Sequence, residues 1–298
     1  MPVGLTDGDS VAMTARYSWI QNYQEQYSVE KMAQAIDVTP SGYYAWRKMP
    51  HSPRHQENEQ LKQDILEAWE QGRHRYESPR ITQIIRQKAV LVGHNRIARL
   101  MREMGLQVKP KKRWKMTTQS KHRLPVAENL LAREFRPTQV NQRWAGDITY
   151  ILTAEGWLYL AVVLDLHSRK VVGWSMASEM KTTLVLDALN MAVVNRSPGP
   201  GLLFHSDRGV QYASEAFRAR LGELRFVQSM SRKGNCWDNA CVESFFGSMK
   251  QEGYGILYQS RREARIHIFE YIEGFYNRQR LHSTLGYLSP ETFERRSA

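Results

Sequence analysis

The chain has few cysteines and no long apolar run, and both absences exclude classes of protein. Its two cysteines, Cys236 and Cys241, are five positions apart and lack the additional Cys or His pair that a zinc site needs. No stretch approaches the roughly 18 consecutive apolar residues of a membrane-spanning helix. Residues 1–16 contain no basic segment followed by an apolar core, and they stay unassigned. We therefore expect a protein of the reducing cytoplasm that neither enters a membrane nor is secreted.

Acidic residues are scarce relative to basic ones. The 30 Asp and Glu residues stand against 42 Lys and Arg residues, and the formal net charge is +12. Residues 51–125 hold 17 basic and 7 acidic residues, so most of the excess charge is local. Clustered Lys and Arg bind polyanions because they displace counterions from phosphates. The expected partner is therefore nucleic acid or an anionic membrane, and a hydrophobic content of 42% indicates a folded interior.

Residues 17–50 have the pattern of a helix, a turn and a second helix. Ser28 precedes the first helix as a cap, and Thr39 followed by Pro40 supplies a cap and a favoured first helical residue for the second. A short helical pair of this kind often enters the DNA major groove. The alternative is a small helical packing module that does not contact DNA.

Residues 56–108 form a second predicted helical unit, in which Ser78 and Asn95 are expected to cap two successive helices. Apolar residues at helical spacing follow each cap, namely Ile81, Ile84 and Ile85 in one helix and Ile97, Leu100 and Met101 in the other. Three arginines recur every three residues along the later helix, at Arg96, Arg99 and Arg102. This stripe suits a DNA groove or backbone, although an ordinary solvated helix face has the same composition.

Residues 109–137 have no apolar periodicity and are predicted to be a basic linker. They include the consecutive cations Lys111, Lys112 and Arg113, which we expect to contact DNA.

From residue 138 onward, short strands alternate with helices. The predicted strands are Arg143–Leu152, Trp157–Leu166, Lys170–Met176, Leu202–Ser206 and Phe226–Ser229. The predicted helices are Thr182–Asn195, Ser214–Gly222 and Asn239–Gly253, and a further helix starts at Arg261. These elements by themselves leave several mixed α/β topologies open.

Three acidic residues stand in settings that suit metal ligands. Asp147 lies in a predicted strand, Asp207 follows a short apolar strand, and Glu243 lies on a predicted helix. Mg²⁺ prefers carboxylate oxygens and water, so three carboxylates without an adjacent Cys cluster suit it. Asp165 also follows a strand and could be a metal ligand, but the pattern favours a turn cap. His205 could assist Asp207, but a buried structural histidine is favoured.

Four segments together resemble a known family: residues 144–149, 205–212, 228–246 and 276–290. They resemble the catalytic core of the DDE transposases and retroviral integrases. More narrowly, the chain from about residue 17 to its C-terminus resembles the OrfB protein of bacterial insertion sequences of the IS-three family. The resemblance implies an RNase H-like core over residues 138–255, preceded by the helix-turn-helix units and the linker. It also places residues 256–298 in the core region, where Tyr276, Asn277, Arg280 and His282 match a family motif.

The resemblance further implies Mg²⁺-dependent DNA strand cleavage and strand transfer with an Asp-Asp-Glu triad. Asp147 is expected to bridge two Mg²⁺ ions, with Asp207 binding one and Glu243 the other, and Mn²⁺ is expected to substitute. Lys250, two helical turns after Glu243, is expected to contact a DNA phosphate near the metals. Arg232 and Lys233, in the loop before that helix, are expected to grip DNA.

The expected partners are element-end and target DNA, further copies of the chain on that DNA, and the OrfA product or a fusion with it. Two other functions remain possible at this stage. One is an RNase H-like nuclease that only hydrolyses DNA, and the other is a DNA-binding regulator with a catalytically silent core.

Overall fold

The computed structural model describes residues 7–48, 53–108, 124–232, 236–253 and 257–297. Within these residues, six helices come before the first strand: α1 Asp7–Tyr23, α2 Val29–Ala35, α3 Pro40–Lys48, α4 Pro53–Gln71, α5 Ser78–Gln87 and α6 His94–Glu103. The strands are β1 Arg143–Thr153, β2 Gly156–Asp165, β3 Val171–Ala177, β4 Leu203–Ser206 and β5 Val227–Met230. The later helices are α7 Thr182–Arg196, α8 Val210–Ala213, α9 Glu215–Glu223, α10 Ala240–Gly253, α11 Arg261–Phe269 and α12 Pro290–Ser297.

The chain divides into two compact units. The helical unit comprises Met1–Gln71 and Ile84–Leu106, and the core unit comprises Gly72–Gln83 and Gln107–Ala298. Helix α5 therefore begins with residues that cluster with the core unit. No helix in the described part of the chain is long and apolar enough to cross a bilayer.

In the helical unit, side-chain caps define the starts of α2 and α3. The Ser28 hydroxyl accepts a hydrogen bond from the Lys31 amide at 3.4 Å, and the Thr39 hydroxyl accepts one from the Gly42 amide at 3.1 Å. Both predicted caps are confirmed. Helices α1 to α3 then close over a small apolar core, whose buried members include Ile20, Met32, Ala33 and Tyr43.

Helix α6 begins at His94, two residues earlier than a cap at Asn95 allows. Its N-cap is Gly93, without a side-chain hydrogen bond, so the prediction that Asn95 caps this helix is wrong. The reason is that Asn95 already lies in the first turn, where its own amide is part of the helix. The apolar face was predicted correctly, since Ile97, Leu100 and Met101 are buried.

The core unit is built on a five-stranded sheet with the order β3-β2-β1-β4-β5. Strands β1, β2 and β3 pair in an antiparallel meander, whereas β4 pairs in parallel with both β1 and β5. A meander followed by strands that alternate with helices, in this spatial order, is the RNase H-like arrangement of an integrase core. The predicted fold is confirmed.

Helix α7 packs closely on the meander because one residue of β3 has no side chain. A Cβ atom on Gly173 would lie 2.2 Å from the carbonyl oxygen of Ala188 and 2.5 Å from the amide nitrogen of Ala192. No real Cβ contact is that short, so glycine is required where the helix backbone meets the strand. The buried cluster on this side of the sheet includes Trp144, Val163, Leu189, Phe204 and Phe217.

Helix α10 packs against β1, and the C-terminal segment packs against α10. The predicted helix from Arg261 exists as α11, but it passes into a π-helical stretch, Glu270–Tyr276. Phe245 of α10 makes edge-on ring contact with Tyr276, with the ring centroids 4.7 Å apart. This aromatic contact helps to hold α10 near β1, the strand that carries Asp147.

Candidate active site

Asp147 and Asp207 lie side by side at the centre of the sheet. Strands β1 and β4 run in parallel, and Gly146 of β1 pairs with Ser206 of β4. Asp147 and Asp207 each directly follow one of these paired residues. Asp147 is still within β1, while Asp207 begins the loop after β4. Adjacent strands are about 4.8 Å apart, which places two acidic residues in neighbouring positions.

Backbone amides orient both aspartates. One carboxylate oxygen of Asp207 accepts a hydrogen bond from the Gly209 amide at 2.9 Å. One oxygen of Asp147 accepts from the amide of the next residue, Ile148, at 2.8 Å. A Cβ atom on Gly209 would lie 3.0 Å from the Asp207 oxygen, so a larger residue would crowd that carboxylate.

Glu243 reaches the same region from α10. It lies in the first turn of this helix, directly after the short 3₁₀ helix Cys236–Asn239. Burial raises the pKa of the Glu243 carboxyl group, and the neighbouring charge of Asp207 raises it further. Asp207 therefore lies within electrostatic reach of both of the other carboxyl groups.

The electrostatics of Asp147 show the same crowding. Its pKa is raised well above the ordinary value, first by burial, then by the charge of Asp207, with a smaller effect from Glu243. Each negative charge disfavours the others in a partly desolvated site. The charge of Lys250 lowers the pKa of Asp147, but its effect is the smallest of these, so further positive charge would relieve the repulsion.

A divalent cation would supply that charge. The donors are all carboxylates, which is the chemistry that Mg²⁺ selects. Among the residues that the structure describes, however, no three acidic, His or Cys side chains are close enough to form a ready-made metal site. The three carboxyl groups fit a divalent ion in chemistry and charge, and their side chains must approach one another further to bind it together.

Lys250 lies where the helical spacing predicts, on the side of α10 that faces β1. Its ammonium group is 5.5 Å from the ring centroid of Tyr150, which is on β1 three residues after Asp147. Burial lowers the pKa of Lys250, and the negative charge of Asp147 opposes that shift. A cation is therefore present at the edge of the carboxylate cluster.

Arg232, one of the two predicted DNA-gripping residues of the loop before α10, pairs with Asp238. Its Nε and Nη2 atoms donate to the two Asp238 oxygens at 3.1 and 3.0 Å. Arg133 also donates to Asp238 at 3.1 Å, and Asn129 donates at 2.8 Å. The hydrogen bonds from Arg232 hold the pKa of the buried Asp238 well below its usual range. The other predicted residue, Lys233, lies outside the described residues.

Sequence reasoning missed Asp238 as a residue of this region. It is fully buried, and its partners come from the segment before β1 as well as from the loop. An acidic residue between Trp237 and Asn239 gave no periodic signal, because its partners are distant in sequence. The one available clue was the basic pair Arg232 and Lys233 a few residues earlier.

Asp165 and His205 have structural roles. One oxygen of Asp165 accepts from the amides of His167 and Ser168, as a turn cap does, and the other accepts from the Asn141 amide. His205 is fully buried and its ring nitrogens contact the hydroxyls of Ser229 and Ser231 at 2.9 and 3.2 Å. Burial lowers the pKa of His205 to about 4, so the ring is neutral at pH 7.

Two of the three arginines along α6 form ion pairs within the helical unit. Arg96 donates to Glu57 at 3.1 Å and to Asn58 at 2.9 Å, and Arg99 donates to Glu103 at 3.0 Å. Arg102 is exposed. The predicted contacts Lys111, Lys112 and Arg113 lie outside the described residues.

Three family models match the chain. An HTH-like domain matches residues 55–114, and integrase core domains match residues 137–236 and 224–290. Transposase InsF for insertion sequence IS3A of Escherichia coli (strain K12) is 42% identical over 285 residues, which are 95% of this chain and 99% of the relative. An uncharacterized 31 kDa protein of insertion element IS600 from Shigella sonnei is 44% identical over 263 residues, 88% of this chain and 97% of its own.

Known structures are similar at much lower levels. A chain of the simian T-cell lymphotropic virus intasome in complex with PP2A regulatory subunit B56 gamma is 13% identical, with a TM-score of 0.44. That match covers 68% of this chain and 67% of the other. The catalytic domain of Mos1 mariner transposase is 15% identical, with a TM-score of 0.40, and covers 53% of this chain and 76% of its own.

Proposed function

Because the chain belongs to the IS3 family of insertion-sequence transposases, we propose that it cleaves and joins DNA strands at element ends through Asp147, Asp207 and Glu243. It is a transposase with an integrase core and an HTH-like domain, and hence a polynucleotidyl transferase. The proposal specifies the residues, the metal and the DNA on which it acts.

One observation carries the proposal: β1 and β4 present Asp147 and Asp207 next to each other, and α10 brings Glu243 within electrostatic reach. Burial and the charge of Asp207 raise the pKa of both Asp147 and Glu243, so the ionised forms of these two groups are costly for folding. A costly cluster of this kind is typical of a functional site rather than of a structural ion-pair network. Asp238 shows the contrast, since its charge is balanced by two arginines.

The three carboxylates would hold Mg²⁺ or Mn²⁺, two ions in all. Divalent ions in such a site supply activation of an attacking hydroxyl and stabilisation of the leaving oxygen at phosphorus. Lys250 would bind the DNA phosphate beside the cluster and so orient the strand. The orientation of both aspartates by backbone amides reduces the movement needed to bind metal.

The remaining predicted contacts with DNA are proposals of the same kind. The arginines of α6 would face the element end, with Arg102 as the exposed member of the set. Arg232 would grip DNA through the part of its side chain that Asp238 leaves exposed, and Lys233, Lys111, Lys112 and Arg113 would add phosphate contacts. Several copies of the chain would act together on paired ends, and the OrfA product would join them.

A strand-transfer assay tests the proposal. The full-length protein is incubated with labelled element-end DNA, a target plasmid and Mg²⁺. Joined products are expected from a transposase, whereas shortened products alone would indicate a nuclease and a shifted but uncut band would indicate a regulator. The Asp207→Asn variant should bind the end DNA with unchanged affinity and form no product, because it removes a charge with little change of shape.

A further inference from the structure

A buried ion pair joins the C-terminal segment, residues 276–282, to α10, the helix that carries Glu243. The guanidinium of Arg280 donates from Nε and Nη2 to the two Glu252 oxygens at 2.7 and 2.5 Å. Its Nη2 also donates to the hydroxyl of Ser248 at 3.0 Å. Glu252 and Ser248 are both on α10, one turn apart, and both ion-pair side chains are only 5% exposed.

The same segment is fixed to the edge of the sheet. The Asn277 side chain accepts a hydrogen bond from the Val171 amide at 2.9 Å and donates to the Val171 carbonyl at 3.0 Å. Val171 is the first residue of β3, and Asn277 is itself buried. The side-chain amide thus replaces a strand partner, and it sets the position of the segment relative to the sheet.

A third contact comes from Tyr76, before α5, and Arg80, within α5, which both belong to the core unit. The Tyr76 hydroxyl accepts from the Leu281 amide at 3.0 Å and donates to the Gln279 carbonyl at 3.3 Å. Arg80 donates to the Leu281 carbonyl at 2.9 Å. Tyr76 is 2% exposed, so these bonds are shielded from water on both sides of Arg280 in the chain.

Residues 276–282 therefore bridge the sheet edge and α10. Arg280 makes hydrogen bonds to α10, beside the ring contact of Tyr276 with Phe245. Both aspartates of the triad are on the sheet, while Glu243 is on α10. The distance between them depends on where α10 sits, and a helix moves as a rigid element over its 14 residues.

We propose that Arg280 is a positioning residue that sets the placement of Glu243 relative to Asp147 and Asp207 through its fork on Glu252 and Ser248. This inference rests on the proposed function of the three carboxylates. A guanidinium offers several donors in one plane, so it fixes the direction of α10 as well as its distance from residues 276–282. Lysine would keep the charge in this pocket, but its donors all lie on one nitrogen, so it lacks the planar fork that fixes the direction of α10.

The test compares Arg280→Lys with a matched control in the same unit. Arg196 makes a similar fork on Glu294, at 2.8 Å for both bonds, and joins α7 to α12 without touching α10. The Arg196→Lys variant therefore measures the general cost of replacing a guanidinium fork by an ammonium. Tyr76→Phe is a milder second variant, which removes the hydroxyl that holds Leu281 and Gln279.

For Arg280→Lys we expect strand cleavage at saturating DNA to slow by about 10- to 100-fold, with the KM for DNA within about twofold of wild type. Tyr76→Phe should slow cleavage by a smaller factor in the same way. Amide hydrogen exchange should rise across residues 240–253 in both variants while the amides of β1 and β2 keep wild-type protection. Arg196→Lys should leave both the rate and the exchange of α10 unchanged.

Two outcomes would overturn the positioning role. One is a folded Arg280→Lys protein with wild-type cleavage rate and wild-type exchange in α10. The other is an equal loss in Arg196→Lys, which would show a general effect on stability. If the wild-type protein forms no DNA product, the proposed function fails, and the exchange of α10 still decides whether Arg280 holds the helix. Should Arg280→Lys not fold, Tyr76→Phe supplies both measurements.

Discussion

Neutralising Asp147 should stabilise the metal-free protein, although it removes a residue of the proposed active site. Asp147 and Asp207 occupy neighbouring positions on parallel strands, and Glu243 adds a third negative charge. Two unit charges about 5 Å apart repel by about 1 kcal/mol in water and by about 3 kcal/mol at an effective dielectric constant of about 20. Because the site is partly buried, we expect Asp147→Asn to raise the free energy of unfolding by about 1–3 kcal/mol in EDTA.

Divalent metal should reverse this order. A metal ion that binds only the folded wild type and is present at about 100 times its Kd adds about 2.7 kcal/mol to the free energy of unfolding. The Asp147→Asn variant should lose most of that gain. Thermal unfolding of both proteins in EDTA and in Mg²⁺ or Mn²⁺ measures the two effects. The expected difference in Tm is a few degrees in each direction, since about 1 kcal/mol shifts the Tm of a domain of this size by about 2–4 °C.

The pH dependence provides an independent check of the sign. The pKa of Asp147 is raised in the folded protein, so its ionised form opposes folding. The contribution of this group to stability is complete below the unfolded pKa and is lost as the pH rises through the folded pKa. Metal-free wild type should therefore gain stability relative to Asp147→Asn as the pH is lowered from 7.

Asp165→Asn is the control. This carboxylate is also buried in the core unit, but it accepts hydrogen bonds from the amides of Asn141 and His167. The Asp165→Asn substitution should therefore destabilise the protein both in EDTA and in the presence of metal. The reasoning is refuted if Asp147→Asn is less stable than wild type in EDTA, or if Mg²⁺ stabilises both proteins equally.

Three further outcomes are expected. Wild type should lose about 3 kcal/mol of stability relative to His205→Gln as the pH falls from about 6.5 to about 4. The reason is that the buried ring stays neutral over a pH range in which the same histidine of the unfolded chain binds a proton. A pH series of urea unfolding tests this, and parallel stability curves for the two proteins would contradict it. Gly173→Ala should abolish folding in soluble-expression and circular-dichroism measurements, whereas Gly222→Ala, with open space around its Cβ, should fold normally. Lys250→Gln should reduce the salt dependence of DNA binding by about one phosphate contact, and an unchanged slope of affinity against salt would exclude that contact.

Local patterns in the sequence predicted most of the elements. The five strands and the helices α7, α9 and α10 were placed within one or two residues of their bounds, since alternation and helical periodicity are properties of short segments. Ser28 and Thr39 were predicted as caps because a cap contacts the amide three residues later. Asn95 was misplaced by the same kind of reasoning, because a helix can begin at a glycine without any side-chain cap.

The three acidic residues were likewise identified by their settings in the sequence and by the family resemblance. Their neighbourhood in space depends on the pairing of β1 with β4, which joins residues 60 positions apart in the sequence. Nothing in either segment specifies its partner, because the register of two strands is set by the packing of the whole sheet.

Long-range polar partners were decided by the tertiary structure alone. The sequence indicated that Arg232 is basic and that Arg280 matches a motif. Apart from the short spacing between Arg232 and Asp238, it contained no signal that the first pairs with Asp238 or that the second pairs with Glu252. A buried charge is stable only where the fold supplies an opposite charge and hydrogen bonds. Composition and periodicity thus determined which segments form helices and strands and which residues could bind metal. Burial, which brings distant segments out of water together, determined which side chains meet.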